Sequence, residues 1–453
     1  MEISRENFII DVPSVDELKP KILDYRAQDK LLDSWLVKRL DQVLPQVMKR
    51  SGIDCWVVCN NEYNEEPVFW TLAPRSLITA RRLTILVFHL KDDGTVDRMS
   101  LTHPVPVIGD YYRPMWTNPK GQSWGESRIL NPNAPVTEQK GEGETQMECL
   151  ARVLKEINPK VIGLDMSKDF AFADGLSHTL YEEMMEVFDD EQKAKIVSAE
   201  KVVVGWMETR IDEEMDAYHG IMQIAHAMIA EAFSSKVILP GVTTNEDVKY
   251  WMMQKTVDLG FRPWFDYEVS VRRAGVGEVV GETVILPGDI LHCDVGFRYL
   301  NLCTDTQENA YVLKQGEVDA PEELKKVMKT VNRFQDIVIG EFKIGRTGNE
   351  ILAASLKKAK EEGIVPCLYT HPIGFNGHAA GPTIGLWDKQ GGVPGTGDYP
   401  MYDNTAYSLE LNVKCPVKSW GVELTFGAET DVLVRDGKVY FLAGRQDRFH
   451  LVK

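Results

Sequence analysis

Asp294 and Asp305 stand eleven residues apart in a stretch patterned like a hairpin. An apolar run leads to the first acid, a second extended run ends on the other, and the turn signal Pro287-Gly288 opens the whole. Folding this stretch about the Tyr299-Leu300 midpoint sets the two acids opposite each other, with side chains ~4.5–5.5 Å apart on one face. Like charges that close repel, so one acid must protonate or a cation must sit between them. A divalent metal is the simplest resolution; a hairpin with two solvated acids is the alternative.

Three later segments carry further donors. His371 and His378 lie seven residues apart in Thr-His-Pro-Ile-Gly-Phe-Asn-Gly-His. Pro372, Gly374 and Gly377 oppose a helix there, and Asn376-Gly377 is a tight-turn signal, so the chain can double back and present both imidazoles to one cavity. Residues 408–413 alternate as a strand with Glu410 on the polar face, and Glu429 heads an apolar strand. An Asp pair, one His and two Glu make an oxygen-rich site with one imidazole. That donor set suits Mn, Co, Fe or Zn and differs from a cysteine-rich structural zinc site.

In this order (Asp, Asp eleven later, His, a second His seven later, Glu, then Glu before an apolar strand), with Ile-Leu-Pro-Gly-Val-Thr-Thr at 238–244, the chain resembles the pita-bread metallopeptidases, the family of methionine aminopeptidase, aminopeptidase P and prolidase. The resemblance covers most of residues 200–453. It implies two divalent metal ions held by Asp294, Asp305, His371, Glu410 and Glu429. Asp294 would chelate one ion, Asp305 and Glu429 would bridge both, and His371 and Glu410 would complete the other. A water between the ions would attack the peptide bond. Glu410 would carry its proton to the leaving amine, and His378 would stabilise the oxyanion. Three departures lie outside the ligand set. The family's upstream substrate histidine would fall near Val276-Gly277, where there is none. Its arginine two residues before the last ligand is Gly427 here, and the acid that often follows the second histidine is Ala379.

These residues need elements to position them. Residues 207–233 read as one long helix, 245–259 as another, 264–271 as a strand leading to the acidic hairpin, and 320–339 and 348–362 as further helices. His219 and His226 share a helical face and read as packing or surface residues. His292 shares a strand face with Asp294; it reads as a packed histidine, with a contact to a ligand carboxylate as the alternative. Ahead of these, residues 31–50 form an amphipathic helix ended by Ser51-Gly52, with Pro45 as a potential kink, and 54–59 and 83–90 form buried strands. Residues 1–30 suggest a surface arm. Residues 104–145, rich in Pro, Gly, Asn and Trp, suggest an ordered surface loop or an excursion to a partner subunit. The expected class is α/β (α+β): an amino-terminal α/β domain over 1–200, similar to that of creatinase and prolidase, and a pita-bread catalytic domain over 201–453.

The chain has 453 residues, enough for two cores. Its net charge of −17 speaks against nucleic acid as a partner. No signal peptide or membrane span is visible, and the seven cysteines read as free thiols, so the expected setting is cytoplasmic. The function implied is a metal-dependent exopeptidase acting on small peptides, of the Xaa-Pro aminopeptidase or dipeptidase kind, working as a homodimer. The alternatives are a metal-independent, creatinase-like C–N hydrolase and a non-catalytic peptide-binding protein on the same fold.

Overall fold

A computed structural model describes residues 13–102, 106–117, 120 and 143–453. Most of the segment 104–145, and residues 1–12 of the amino-terminal arm, lie outside the described residues. The chain divides into two compact units, Arg26–Met207 and Glu208–Lys453, the latter joined by the segment that ends at Tyr25.

In the first unit, the helix Tyr25–Ser51 buries the stripe its spacing predicts, from Leu32 through Trp35, Leu36, Leu40, Val43 and Leu44 to Val47, with Pro45 inside it. Its core is a six-stranded sheet of β1 (Cys55–Asn61), β2 (Leu83–Leu90), β3 (Val96–Leu101), β4 (Arg113–Pro114), β5 (Ile162–Leu164) and β6 (Ile196–Ser198), ordered β4-β3-β2-β1-β5-β6. The helix Gln146–Ile157 starts at a reciprocal cap between Thr145 and Glu148 and packs Cys149, Leu150, Val153 and Leu154 into this sheet's core.

The second unit departs from the sequence reading near its start. The helix expected over 207–233 is interrupted: one helix ends at Glu208 and the next spans Asp212–Ala232. The break has a local cause. The Arg210 N–H bonds the Asn404 carbonyl at 2.7 Å, and Glu214 accepts from the Ile211 N–H at 3.1 Å, restarting the helix.

Fifteen strands follow: β7 (Arg262–Pro263), β8 (Glu268–Arg273), β9 (Gly277–Val279), β10 (Ile290–Val295), β11 (Phe297–Tyr299), β12 (Leu302–Cys303), β13 (Thr306–Val312), β14 (Val365–Leu368), β15 (His371–Pro372), β16 (Thr405–Ser408), β17 (Leu411–Val417), β18 (Val422–Ala428), β19 (Asp431–Arg435), β20 (Lys438–Phe441) and β21 (His450–Val452). They form sheets ordered β21-β13-β10-β8-β9, β12-β11-β7, β14-β17-β18 and β15-β16-β19-β20. The strand expected over 264–271 is therefore shorter and later, and Trp264 lies in the loop before it. The helices Glu322–Glu341 and Gly348–Glu361 supply Leu324, Val331, Phe334, Ile351 and Leu352 to one core with Leu411, Val413, Phe426 and Val432 from the sheets. Among the described residues no helix is long and apolar enough to cross a membrane.

The acidic hairpin turns one residue later than expected. Leu300 and Asn301 take φ of +50° and +59°, the pair of left-handed residues a two-residue hairpin turn requires. Tyr299 then pairs with Leu302, and farther along the same antiparallel arms Asp294 pairs with Gln307 rather than Asp305. Asp305 lies between β12 and β13.

Candidate metal centre

The five expected ligands come from places where strands end or change sheets. Asp294 is at the end of β10. Asp305 lies between the two-residue β12 and β13, and is held by its N–H donating to Asp431 at 3.2 Å. Glu410 lies between β16 of one sheet and β17 of another, and Glu429 between β18 and β19 of the same two sheets. The chain thus crosses between sheets twice at the site, and each crossing leaves a carboxylate at the junction. His371, in β15, pairs with Ser408 of β16.

The donor atoms converge. Asp305, His371 and Glu429 form one group able to hold a metal ion, and Asp294, Glu410 and Glu429 form a second, with Glu429 common to both. This groups Glu410 with Asp294, whereas the resemblance pairs it with His371. His371 Nε2 is 3.5 Å from Asp305, 3.9 Å from Glu410 and 3.9 Å from Glu429. Its Nδ1 lies 2.9 Å from the Pro372 carbonyl, so the proton belongs on Nδ1 and the Nε2 lone pair faces the carboxylates.

A metal fits what these atoms lack. Asp294 Oδ1, Asp305 Oδ1, Glu429 Oε2 and His371 Nε2 are buried without a hydrogen-bond partner. Such atoms on residues of the two groups suit a cation, because buried polar groups left unpaired are costly. The family-implied ions would rest on these atoms.

Electrostatics agree. Burial, and then the Glu268 charge, raise Asp294 to about 7. Asp305, Glu410 and Glu429 are pushed well above the carboxylate range by burial and then by one another and Asp294. Burial, then the neighbouring His378, lowers His371 to about 3, which keeps the imidazole neutral and able to ligate. The sign for stability follows. Carboxyls whose folded pKa is raised favour the metal-free fold at low pH, and that contribution is lost as pH rises from about 4 through 7. The difference in Tm between metal-loaded and chelated protein should therefore widen by several degrees from pH 5 to pH 8. A constant gap in calorimetric scans would contradict this assignment.

His378 is exposed at the rim. Its ring stands edge-on to His371, with centroids 4.7 Å apart, and to Trp264 at 5.4 Å. The loop between the histidines closes as expected for a turn, the Ala379 N–H donating to the Pro372 carbonyl at 3.0 Å. Arg298 of β11 pins it through Phe375 O at 2.6 Å and Asn376 Oδ1 at 3.0 Å. Gly377 is required for close approach: a Cβ there would fall 2.3 Å from the Trp264 ring.

Several residues at the site had no sequence signal. The Gln307 amide donates to Glu410 Oε1 at 2.6 Å and Asp294 Oδ2 at 3.3 Å. Ser408 donates to Glu429 Oε1 at 2.5 Å, and Trp264 packs against His378. Gly427 makes room for Gln307, since a Cβ there would fall 2.8 Å from its Oε1. His292 is buried and bonds Asn309 Oδ1 at 3.2 Å. His226 is structural, paired at 2.7 Å with Glu308. Gln307→Leu should weaken metal affinity about 10–100-fold, the usual cost of losing a group that orients a ligand. Unchanged affinity by calorimetry would remove Gln307 from that role.

Fold and donor set together define a metal-dependent hydrolase. Residues 216–436 match the profile of metallopeptidase family M24. Residues 216–436 thus carry a domain of that metallopeptidase family. The mixed α/β fold is also that of known structures. The X-Pro aminopeptidase of Thermotoga maritima MSB8 superposes with a TM-score of 0.60 at 17% identity, covering 90% of this chain and 100% of that one. The Xaa-Pro dipeptidase of Bacillus anthracis gives 0.55 at 17% identity over 92% and 100%. The prolidase of Pyrococcus furiosus gives 0.51 at 16% over 88% and 98%. No curated protein matches the chain by sequence.

Proposed function

We propose that this protein is a dinuclear exopeptidase that removes the first residue of a small peptide, or splits a dipeptide, with Xaa-Pro bonds as its preferred substrates. The observation that carries this reading is the convergence of four carboxyl groups and the His371 Nε2 lone pair, four of their atoms buried and unpartnered. The X-Pro aminopeptidase and Xaa-Pro dipeptidase that share the fold support the same substrate class. Asp294, Asp305, His371, Glu410 and Glu429 hold the metals, with Glu429 shared. Two ions there would supply an activated water and polarise the scissile carbonyl. Glu410, half-buried and hydrogen-bonded by the Gln307 amide, moves the proton from attacking water to leaving amine. His378, at the rim beside His371, donates to the oxyanion. We further propose a homodimer as the working form, a cytoplasmic setting, and neither nucleic acid nor membrane as partner.

The test is a cleavage screen on full-length protein, chelated and then reloaded with Mn²⁺ or Co²⁺. Its panel holds Xaa-Pro dipeptides, longer peptides with Pro second, and matched peptides without Pro. The expected result is metal-dependent release of the first residue, fastest for Xaa-Pro. Failure of metal-saturated protein to cleave any peptide would overturn the proposal.

A further inference from the structure

The loop between the two histidines leaves its sheet early. His371 and Pro372 pair with Ser408 and Tyr407 of β16, and the Ile373 N–H still donates to the Ala406 carbonyl at 3.0 Å. From Gly374 to His378 no strand holds the chain. Its anchors come instead from the hairpin that carries Asp294 and Asp305. The Cys303 N–H of β12 donates to the Gly374 carbonyl at 2.7 Å. Arg298, half-buried and paired with Cys303 across that hairpin, sends its Nη2 to two acceptors farther along, Phe375 O at 2.6 Å and Asn376 Oδ1 at 3.0 Å. The Arg210 guanidinium lies over the Phe375 ring, 4.3 Å from its centroid. At the tip, the Trp264 ring stands against Gly377 and His378, and its Nε1 is fixed on the Thr304 carbonyl at 2.8 Å.

These anchors differ in weight. The backbone bond from Cys303 fixes Gly374, at the start of the loop. A charged donor makes a hydrogen bond roughly twice as strong as a neutral one, and both of Arg298's go to the residues just before the Gly377-His378 tip. An exposed imidazole beside a glycine has no strand of its own, so its direction follows whatever holds Phe375 and Asn376. Donation to a developing oxyanion tolerates little error: a displacement of about 1 Å costs on the order of 10²-fold in rate. Resting on the peptidase reading, in which His378 donates to the oxyanion, we propose that Arg298 is a positioning residue for His378. It acts through the loop. It ties the imidazole to the same hairpin that holds Asp294 and Asp305, so that the oxyanion donor and the metal ligands keep one geometry.

The experiment starts on full-length, Mn²⁺-loaded protein with Xaa-Pro dipeptides. Arg298→Met keeps an apolar stem and removes every donor. It should lower kcat about 10–100-fold with metal content unchanged, and Arg298→Lys should recover part of the loss. Placed in the His378→Ala background, Arg298→Met should cost no more than about twofold, because a residue that acts through His378 has nothing left to position. A merely structural loss would multiply in full. Equal effects of Arg298→Met in the two backgrounds, unchanged kcat, or loss of metal would overturn the proposal. A second readout needs no turnover. In Zn²⁺-loaded protein with isotope-labelled histidine, the edge-on Trp264 ring displaces the His378 ring resonance, which is assigned by its absence in His378→Ala. That resonance should move in Arg298→Met, while that of His226, buried against Glu308, stays as a check of the fold. Asn376→Ala removes one of the two acceptors, should move it less, and stands in if Arg298→Met does not fold. A His378 resonance unmoved in the folded variants overturns the proposal. A moved resonance in protein that cleaves no peptide keeps the positioning role and removes the peptidase reading; cleavage with an unmoved resonance does the reverse.

Discussion

Asp305→Asn should abolish metal-dependent hydrolysis while leaving the metal-free protein folded and at least as stable as the wild type. Asp305 is buried, its Oδ1 has no partner, and its pKa is driven far up by burial and then by Asp294, Glu410 and Asp431. Without metal it is a liability, because neutralising one of several crowded acids relieves repulsion. With metal it would serve as a ligand beside His371 and Glu429, with which it forms a group able to hold an ion. An amide has nearly the same shape but no charge to hold a dication, so activity should fall by several orders of magnitude while Tm without metal stays level or rises. A well-folded variant with wild-type turnover would show that Asp305 is no ligand.

His371→Ala and His378→Ala should fail in different ways, although the two imidazoles touch edge to face. His371 is buried with its Nε2 turned onto three carboxylates, so its loss should reduce metal occupancy at one site. His378 stands at the exposed rim with its ring against Trp264 and His371. Its loss should leave metal content intact and lower kcat about 10²–10³-fold, the effect of removing one oxyanion donor. Metal content and turnover measured on both variants decide this. Equal metal loss would make His378 a ligand, and unchanged turnover in His378→Ala would remove it from the mechanism.

Much of the fold was legible because apolar period and turn chemistry are local. The stripe from Leu32 to Val47 and the buried strand Leu83–Leu90 are written in adjacent residues. The acids and histidines that the fold gathers were legible by type and order, since few combinations of carboxylate and imidazole recur at such spacing. Non-local competition hid the rest. Apolar periodicity runs through Trp206, Met207, Ile211 and Met215, so only the Arg210 bond to Asn404 reveals where the helix breaks. Leu300 and Asn301 make a turn no more obvious in sequence than one centred a residue earlier. Alternation from Ser408 to Val413 looks like one strand, and the change of sheet at Glu410 shows only in the pairing. Gln307 sits in a strand of mixed polarity, Thr-Gln-Glu-Asn-Ala-Tyr-Val, and its role depends on what the facing elements bring.

The central claim is that these side chains hold two metal ions. Anomalous diffraction from crystals of the full-length protein grown with Mn²⁺ tests it most directly. The account predicts two peaks, one against Asp305, His371 and Glu429 and one against Asp294, Glu410 and Glu429. Saturating metal with no peak among these residues, or a single peak elsewhere, would contradict it.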